Sequence, residues 1–232
     1  VYLHMMALTF ERHPNAQILF LVPEINLTPQ LEARVRSFFT HKKIVCMHSG
    51  LSQGERARSW LAMHEKHAQI LIGTRMAVFA SMPELQLIVV DEEHDLSYKA
   101  GDGVRYSARD LAVKRAQLLN IPIVLGSATP SLETWAHVRS QHYHLLTLSQ
   151  RAVKEAELPQ LVVVNPKEEK TTFGLAQTVV DAISETLEKK EQVIVFLNRR
   201  GYAPVLTCPS CGWLSTCPHC STYAVYHKSH RR

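Results

Sequence analysis

The residues best suited to chemistry lie in the run Asp91-Glu92-Glu93-His94, directly after the apolar segment Leu87–Val90. In an open parallel sheet, ligands bind at the carboxyl ends of the strands. A carboxylate there can hold Mg²⁺ through water beside nucleotide phosphates, and the next carboxylate can orient or deprotonate an attacking water. Adjacent acids are also common in solvated turns, so this run alone does not establish a catalytic site.

Three further apolar segments end in polar residues that suit a phosphate ligand. Ile121–Leu125 is followed by Gly126–Pro130, whose hydroxyls can bond a carboxylate or sense a phosphate, although an ordinary helix N-cap is the alternative. Thr74 and Arg75 end another segment, and an arginine suits a phosphate. Polar residues also occur in Pro23–Gln30 after a further strand. Polar or charged residues thus follow four predicted strands, in the order along the chain that a nucleic-acid motor would need. This order is more specific for such a motor than any single motif.

Four of the five cysteines form two C-x2-C pairs, separated by five residues: Cys208, Cys211, Cys217 and Cys220. Such a pair brings two thiolates to one metal, at about 2.3 Å for zinc. The spacing favours zinc, with a disulfide framework or an iron–sulfur cluster as alternatives. Four-cysteine zinc ribbons separate their pairs by ~15–20 residues. We therefore expect each pair to need further ligands and the metal module to be cut off in this chain.

The composition is that of a globular chain, since 46% of residues are apolar and 20% are charged. This balance excludes a disordered or fibrous protein. No apolar run approaches the ~20 residues that span a bilayer, so we expect no membrane partner. The net charge of +5 lies entirely in residues 199–232, because residues 1–198 carry 21 basic and 21 acidic residues. The basic tail indicates a separate module that binds metal or contacts a polyanion.

Strand-length apolar runs alternate with helix-length segments along the first part of the chain. The predicted strands are Ile18–Val22, Ile44–His48, Ile70–Thr74, Leu87–Asp91, Ile121–Ser127 and His144–Leu148. The predicted helices are Tyr2–Arg12, Pro29–Phe39, a third from the capping box at Ser52 to about His67, and a fourth from Ser107 to near Asn120. The strands barely alternate in polarity, as is typical of a parallel sheet covered on both faces. The pattern predicts a doubly wound α/β domain.

The chain divides into segments of different character. We predict a first domain over 1–154, a charged and proline-containing linker over 155–172, the start of a second α/β lobe over 173–207, and a metal module over 208–232. The second lobe is expected to begin with helix Phe173–Lys190 and strand Val193–Leu197.

These motifs carry a family resemblance. DEEH, GSATP, GTR and LVPEINLTPQ resemble the motifs of superfamily 2 helicases, and NRRG followed by CPSCG and CPHC narrows the resemblance to the PriA family, or primosomal protein N′. The resemblance covers nearly the whole chain. It implies two RecA-like lobes that use ATP to move 3′ to 5′ on DNA, restart stalled replication forks and help assemble the primosome. The alternatives are a catalytically inactive zinc-dependent DNA- or protein-binding module and another superfamily 2 motor.

The resemblance implies specific residue roles. Asp91 coordinates Mg²⁺, Glu92 activates water, and Glu93 and His94 complete the acidic motif. A coupling segment links hydrolysis to DNA movement, and it comprises Ser127, Ala128 and Thr129. The implied DNA contacts, several in an aromatic-rich loop, are Thr28, Thr74, Arg75, Tyr98, Lys99, Arg105 and Tyr106. Aromatic rings stack on unpaired bases for ~1–3 kcal/mol each.

The resemblance also implies the ligands and partners. These are ATP, Mg²⁺, two zinc ions bound by Cys208, Cys211, Cys217, Cys220 and later cysteines, single-stranded and forked DNA, primosome proteins and single-strand-binding protein. The expected location is the bacterial cytoplasm, in association with the nucleoid. The sequence contains no GxGKT phosphate loop, which the family places before the helix that begins near Val1. We therefore expect an internal fragment that is inactive alone.

Overall fold

The structure is a computed structural model of the 232-residue chain. It describes residues 1–23, 28–101, 103–150, 159–165, 168–172, 174–196, 208 and 210–217. The chain divides into two units, Val1–Ser149 and Gln150–Arg232. The bounds predicted for the first domain, the linker, the second lobe and the metal module stay predictions.

The first unit is built on a parallel sheet flanked by helices. Its strands are β1 (Gln17–Leu21), β2 (Ile44–Met47), β3 (Ile70–Gly73), β4 (Leu85–Val90) and β5 (Ile123–Leu125). Its helices are α1 (Tyr2–Arg12), α2 (Thr28–Phe38), α3 (Gln53–His64), α4 (Ala108–Leu119) and α5 (Leu132–Arg139). The strand order is β2-β3-β1-β4-β5, and every pairing is parallel. This confirms the predicted RecA-like sheet with its helices.

Each central strand sends alternate side chains to opposite faces of the sheet, and both faces are covered. In β1, Ile18 and Phe20 pack in a cluster with Met6 and Phe10 of α1. The intervening residues of β1 pack in a second cluster with side chains of α3 and α4, including Met63. Because both sets are buried, the strand sequence shows no polar alternation. The sheet therefore forms the core and brings the carboxyl ends of its strands to one edge.

The helix starts follow the local capping signals. Ser52 and Glu55 form a reciprocal capping box at the start of α3. The Ser107 side chain accepts a hydrogen bond from the Asp110 amide at the start of α4, which ends where Asn120 adopts a left-handed conformation with φ of 52°. These signals explain why both helices could be predicted from local sequence.

The predicted strand His144–Leu148 is wrong. Residues 144–149 have no regular secondary structure, and Leu146 and Leu148 are 82% and 78% exposed. Within the described residues, the sheet ends at β5 on that side. An apolar run becomes a strand only when a partner strand accepts its backbone hydrogen bonds, and these residues have none in the described ranges.

The second unit contains a short antiparallel pair and one helix. Its elements are β6 (Thr171–Thr172), β7 (Leu175–Ala176) and α6 (Gln177–Glu188). The carboxylate of Glu169 accepts hydrogen bonds from the amide and hydroxyl of Thr178 in the first turn of α6. The predicted helix over Phe173–Lys190 is confirmed with shorter bounds, and β6 lies in the stretch predicted to be a linker.

The predicted strand Val193–Leu197 is not found in the part that the structure describes. Residues 191–196 have no regular secondary structure, and Phe196 is largely exposed. Leu197 lies outside the described residues. The physical reason is the same as for residues 144–148, because no described neighbour pairs with this run.

Gly73 provides a test of the packing at the carboxyl edge of the sheet. A Cβ atom at Gly73 would lie 2.6 Å from the carbonyl oxygen of Met47 and would overlap the side chain of Ala77. We expect Gly73→Ala to lower the free energy of unfolding by about 1–3 kcal/mol in urea denaturation. The matched control is Gly101→Ala, where a Cβ meets nothing within 4 Å, and its effect should stay within ~0.5 kcal/mol. Equal effects of the two substitutions would contradict this packing.

Candidate functional site

Residues 91–94, called here the acidic turn, follow β4 at the carboxyl edge of the sheet. Three backbone hydrogen bonds hold this turn against both neighbouring strands. The Asp91 amide donates to the Leu21 carbonyl at 3.0 Å, and the Glu93 amide donates to the Gly126 carbonyl at 3.0 Å. The Gly126 amide in turn donates to the Val90 carbonyl at 2.8 Å. The sheet thus brings the acidic turn together with residues 126–130, called here the GSATP segment, as the strand-end argument predicted.

Asp91 is half-buried and is held by two phenols. The Tyr2 hydroxyl donates to Asp91 Oδ1 at 2.9 Å, and the Tyr98 hydroxyl donates to the Asp91 backbone carbonyl at 2.7 Å. The Tyr2 ring also packs edge-on against Phe20 of β1, with ring centroids 5.4 Å apart. Within the described residues, no side chain donates a hydrogen bond to Oδ2. An oriented carboxylate with an open oxygen suits a divalent cation.

Glu92 and His94 face the more open side of the turn. Glu92 has a φ of 46°, a left-handed conformation that costs a non-glycine residue roughly 1–2 kcal/mol. Its side chain is 44% exposed, and its Oε2 lies 3.5 Å from His94 Nδ1. An accessible carboxylate beside a histidine is suited to accept a proton from water.

The GSATP segment contacts the acidic turn through His94. His94 Nδ1 lies 2.7 Å from Ser127 Oγ, and Nε2 lies 3.4 Å from Thr129 Oγ1. Ser127 Oγ also accepts a hydrogen bond from the Thr129 amide at 2.9 Å. Ala128 is exposed and lies between them in sequence. The structure therefore brings the predicted coupling residues to the predicted acidic motif.

Glu93 differs from its neighbours because its side chain points into the interior and is only 1% exposed. Its Oε2 accepts hydrogen bonds from Arg109 Nη1 at 3.1 Å and from the Thr134 hydroxyl at 2.8 Å. Its Oε1 accepts a hydrogen bond from the amide of Ser131, the N-cap of α5, at 2.7 Å. Glu93 is thus enclosed by protein donors. We assign it a positioning role, distinct from the open side chains of Glu92 and His94.

Arg109 is the buried cation that faces Glu93. Besides Glu93, it donates to Ser131 Oγ at 2.7 Å and, through Nε, to the exposed Asp110 at 2.7 Å. Burial opposes its charge, but the hydrogen bonds and charges of Asp110 and Glu93 outweigh burial and raise the pKa of Arg109. The guanidinium is therefore always charged, and it compensates the buried carboxylate of Glu93.

The predicted DNA contacts are only partly exposed. Thr74 is the N-cap of a short 3₁₀ helix that begins with the exposed Arg75. Arg75 Nη1 donates a hydrogen bond to the Lys99 carbonyl at 3.1 Å. Lys99 and Arg105 are exposed, and the Tyr106 ring packs against Phe79 with centroids 5.0 Å apart. Thr28 begins α2. Arg75 and the loop at 95–107 therefore form one surface.

Tyr98 does not fit the predicted stacking role. The side chain is buried, with 1% exposed, and its hydroxyl is bonded to the Asp91 carbonyl. A buried ring has no face available for a base. We correct the sequence prediction and assign Tyr98 to positioning Asp91.

Several residues that shape the site were not assigned to it from the sequence. Tyr2 lies 89 residues from Asp91, and Thr134 lies 41 residues from Glu93. Arg109 falls inside the predicted fourth helix, and Ser131 directly follows the GSATP motif, so their positions in the sequence carried no signal for this site. No spacing rule connects residues so far apart, so only the fold reveals these contacts.

The first C-x2-C pair forms a tight turn. The Cys208 amide donates to the Trp213 carbonyl at 2.8 Å, and the Gly212 amide donates to the Cys208 carbonyl at 2.9 Å. Gly212 has a φ of 72°, a conformation that favours glycine. Hydrogen bonds from the Ser210 hydroxyl and from the backbone of Cys211 lower the pKa of Cys208 to about 6. The turn thus favours a thiolate, the form that binds zinc.

The described residues contain no group of three or more histidine, cysteine or acidic side chains that could hold a metal ion. Cys217 is described and partly buried, whereas Cys220 lies outside the described residues. In the same described part of the chain, no helix combines the length and apolar character needed to cross a membrane.

The two phenols at Asp91 lead to a pH prediction. Burial, followed by the hydrogen bond and charge of Asp91, raises the pKa of Tyr2, and burial with the charge of Asp91 raises that of Tyr98. Unfolded tyrosine has a pKa of about 10, so the folded chain binds more protons above that pH. The free energy of unfolding should therefore fall as pH rises above about 10.

A titration of phenolate absorbance checks this expectation. Of the seven tyrosines, Tyr2 and Tyr98 should ionise only as the chain unfolds. The double substitution Tyr2→Phe and Tyr98→Phe should remove this late step and flatten the alkaline loss of stability. Ionisation of all seven tyrosines in one step near pH ~10, with the chain still folded, would contradict the raised pKa values of Tyr2 and Tyr98.

Comparison with known proteins places this site in a family. The DEAD/DEAH box helicase model matches residues 1–138. The chain is 44% identical over 212 residues to the replication restart protein PriA of Haemophilus influenzae, covering 91% of this chain and 29% of that protein. It is 39% identical over 221 residues to the protein of the same name from Bacillus subtilis, covering 93% and 27%. The chain therefore spans less than a third of the length of these relatives.

The match includes the segments whose geometry is described above. Residues 1–138 contain the five strands, the acidic turn and the GSATP segment. The chain belongs to the DEAD/DEAH box helicase family.

Proposed function

We propose that this chain forms part of an ATP-dependent DNA helicase that moves 3′ to 5′, restarts stalled replication forks and helps assemble the primosome. The observation that carries the proposal is the acidic turn, in which Asp91 is oriented by Tyr2 beside the open carboxylate of Glu92. The similarity to replication restart proteins supports the biological setting. The proposed location is the bacterial cytoplasm, in association with the nucleoid, and the bacterial origin of these relatives supports this part of the proposal.

The residues of the acidic turn fit ATP with Mg²⁺. Asp91 would hold the cation through its open oxygen, and Mg²⁺ when bound would offset the charge of the phosphates. Glu92 would orient a water molecule and accept its proton. His94, in contact with Ser127 and Thr129, would pass the state of the site to the GSATP segment. We propose these roles for Asp91, Glu92 and His94, with Ala128 lying between Ser127 and Thr129 in the coupling segment.

The DNA contacts are proposed on the surface formed by Arg75 and the loop at 95–107. Thr74, Arg75, Lys99 and Arg105 supply donors for phosphates, and Tyr106 supplies a partly exposed ring. Thr28 at the start of α2 completes the proposed path. Single-stranded and forked DNA are the proposed substrates, with primosome proteins and single-strand-binding protein as partners.

The ATPase proposal is tested on the protein expressed from its complete gene. Single-stranded DNA should stimulate its ATP hydrolysis. Asp91→Asn should abolish that hydrolysis, and Glu92→Gln should lower kcat by about 10²-fold or more, as expected when a general base is lost. Glu65→Gln, at the exposed glutamate that caps the carboxyl end of α3, is the matched control and should leave kcat unchanged.

One result would oppose the ATPase proposal. Full activity of Asp91→Asn would remove the acidic turn from catalysis. Because the sequence lacks GxGKT, we also expect the 232-residue chain alone to hydrolyse no ATP. DNA-stimulated hydrolysis by the pure chain, abolished by Asp91→Asn, would show that this expectation is wrong.

We further propose that the cysteine pairs hold zinc. The turn at Cys208 and Cys211 aims backbone donors at a thiolate sulfur, and the thiolate donor set suits zinc. Cys217 and Cys220 are proposed as the second pair. When bound, zinc would stabilise the fold of this module.

Metal analysis of the protein from the complete gene tests the zinc proposal. We expect two zinc ions per chain, and the double substitution Cys208→Ser and Cys211→Ser should lower this content. Cys46→Ser is the matched control, because Cys46 lies in β2 and should not affect zinc. Unchanged zinc in the double variant would oppose the assignment. One zinc bound tightly by the four thiolates of the 232-residue chain would show that the module needs no further ligands.

A further inference from the structure

The phenol of Tyr2 covers one of the two carboxylate oxygens of Asp91 and leaves the other open. We propose that Tyr2 determines which divalent cation this carboxylate accepts, because it limits Asp91 to one free oxygen and so favours Mg²⁺ over Ca²⁺. The inference rests on the proposed function and deepens it, since it concerns the cation that accompanies ATP. It gives Tyr2 a specificity-determining role in addition to orienting Asp91.

The first step is that Asp91 is held in one orientation. Its amide donates to the Leu21 carbonyl at 3.0 Å, and its carbonyl accepts a hydrogen bond from the Tyr98 hydroxyl at 2.7 Å. The backbone is therefore fixed on both sides, and only the torsions of the side chain remain to be set. The hydrogen bond from the Tyr2 hydroxyl to Oδ1, at 2.9 Å, sets them.

The second step is that Tyr2 is itself held by its neighbours. Its ring packs edge-on against Phe20, with ring centroids 5.4 Å apart. Its hydroxyl lies so close to Gly126 that a Cβ atom there would fall 1.6 Å from the phenol oxygen. Glycine at this position therefore leaves the space that the hydroxyl occupies beside Asp91. The position of the phenol is built into the packing of α1 against the ends of β4 and β5.

The third step is the chemistry of the oxygen that stays open. Within the described residues, no side chain donates a hydrogen bond to Oδ2, so Asp91 offers one oxygen to a cation. Mg²⁺ keeps several waters and uses few carboxylate oxygens, whereas Ca²⁺ takes about six to eight oxygens and can bind both oxygens of one carboxylate. A carboxylate with one oxygen engaged by a phenol thus matches Mg²⁺ better than Ca²⁺.

Competition between cations tests the proposal on the protein expressed from its complete gene. Mn²⁺ bound in the presence of ADP is followed by electron paramagnetic resonance while Mg²⁺ or Ca²⁺ displaces it. Tyr2→Phe keeps the ring and its contact with Phe20 but frees Oδ1 of Asp91. Because a hydrogen-bond partner behind a metal ligand is lost, Mg²⁺ should bind about tenfold more weakly. Ca²⁺ should weaken less than about twofold, because it gains the freed oxygen.

Gly126→Ala tests the same hydroxyl from its other side. The added methyl group displaces the Tyr2 hydroxyl, so this variant should also lose preference for Mg²⁺. If Gly126→Ala fails to fold, Tyr2→Phe decides the outcome.

Two further phenol substitutions serve as comparisons. Tyr98→Phe loosens the Asp91 backbone without freeing Oδ1, so it should weaken both cations equally. Tyr143→Phe, at a partly buried phenol that packs against His137, is the matched control and should change neither affinity.

The results separate this inference from the proposed function. An unchanged preference in Tyr2→Phe, whether both affinities fall equally or neither changes, would overturn the role in selectivity and leave the helicase proposal intact. If Asp91→Asn leaves Mn²⁺ binding unchanged, Asp91 does not hold the cation, and the proposed role of the acidic turn fails together with this inference.

Discussion

The site depends on the position of β4, which lies between β1 and β5 with both faces covered. Parallel pairing on both sides places its carboxyl end beside Leu21 and Gly126, and backbone hydrogen bonds hold the acidic turn there. A strand buried in this way cannot shift by one residue without sending its apolar side chains to the wrong face. The register of β4 therefore determines where Asp91 and its neighbours lie.

Three consecutive carboxylates in one turn repel each other unless each has its own compensation. The structure separates them. Asp91 accepts a phenol hydrogen bond, Glu92 remains open to solvent, and Glu93 is paired with Arg109. Removing one partner of a buried ion pair typically costs about 3–5 kcal/mol, because the other charge is left uncompensated. Glu93 and Arg109 therefore depend on each other, and their contact keeps the Glu93 side chain in the interior beside the turn.

The loop at 95–107 shows how burial divides roles within one motif. Tyr98 and Tyr106 both suit base stacking by residue type, yet one ring is buried beneath the acidic turn and the other is partly exposed. Arg75 bonds to the backbone of Lys99, so the two proposed phosphate contacts are held together. The surface proposed to contact DNA is in this way tied to the residues proposed to act on ATP.

Local sequence alone determined the order of helices and strands through β5, the helix caps at Ser52 and Ser107, and the strand ends that carry the acidic turn and GSATP. These features depend on near neighbours in the chain. The failed strands at residues 144–148 and 193–196 depend on partners that an apolar run does not specify. Tertiary structure alone decided that Tyr2 orients Asp91, that Tyr98 is buried, and that Glu93 pairs with Arg109. Those contacts join residues distant in sequence, and only the packing of α1, α4 and α5 around the sheet brings them within hydrogen-bonding distance.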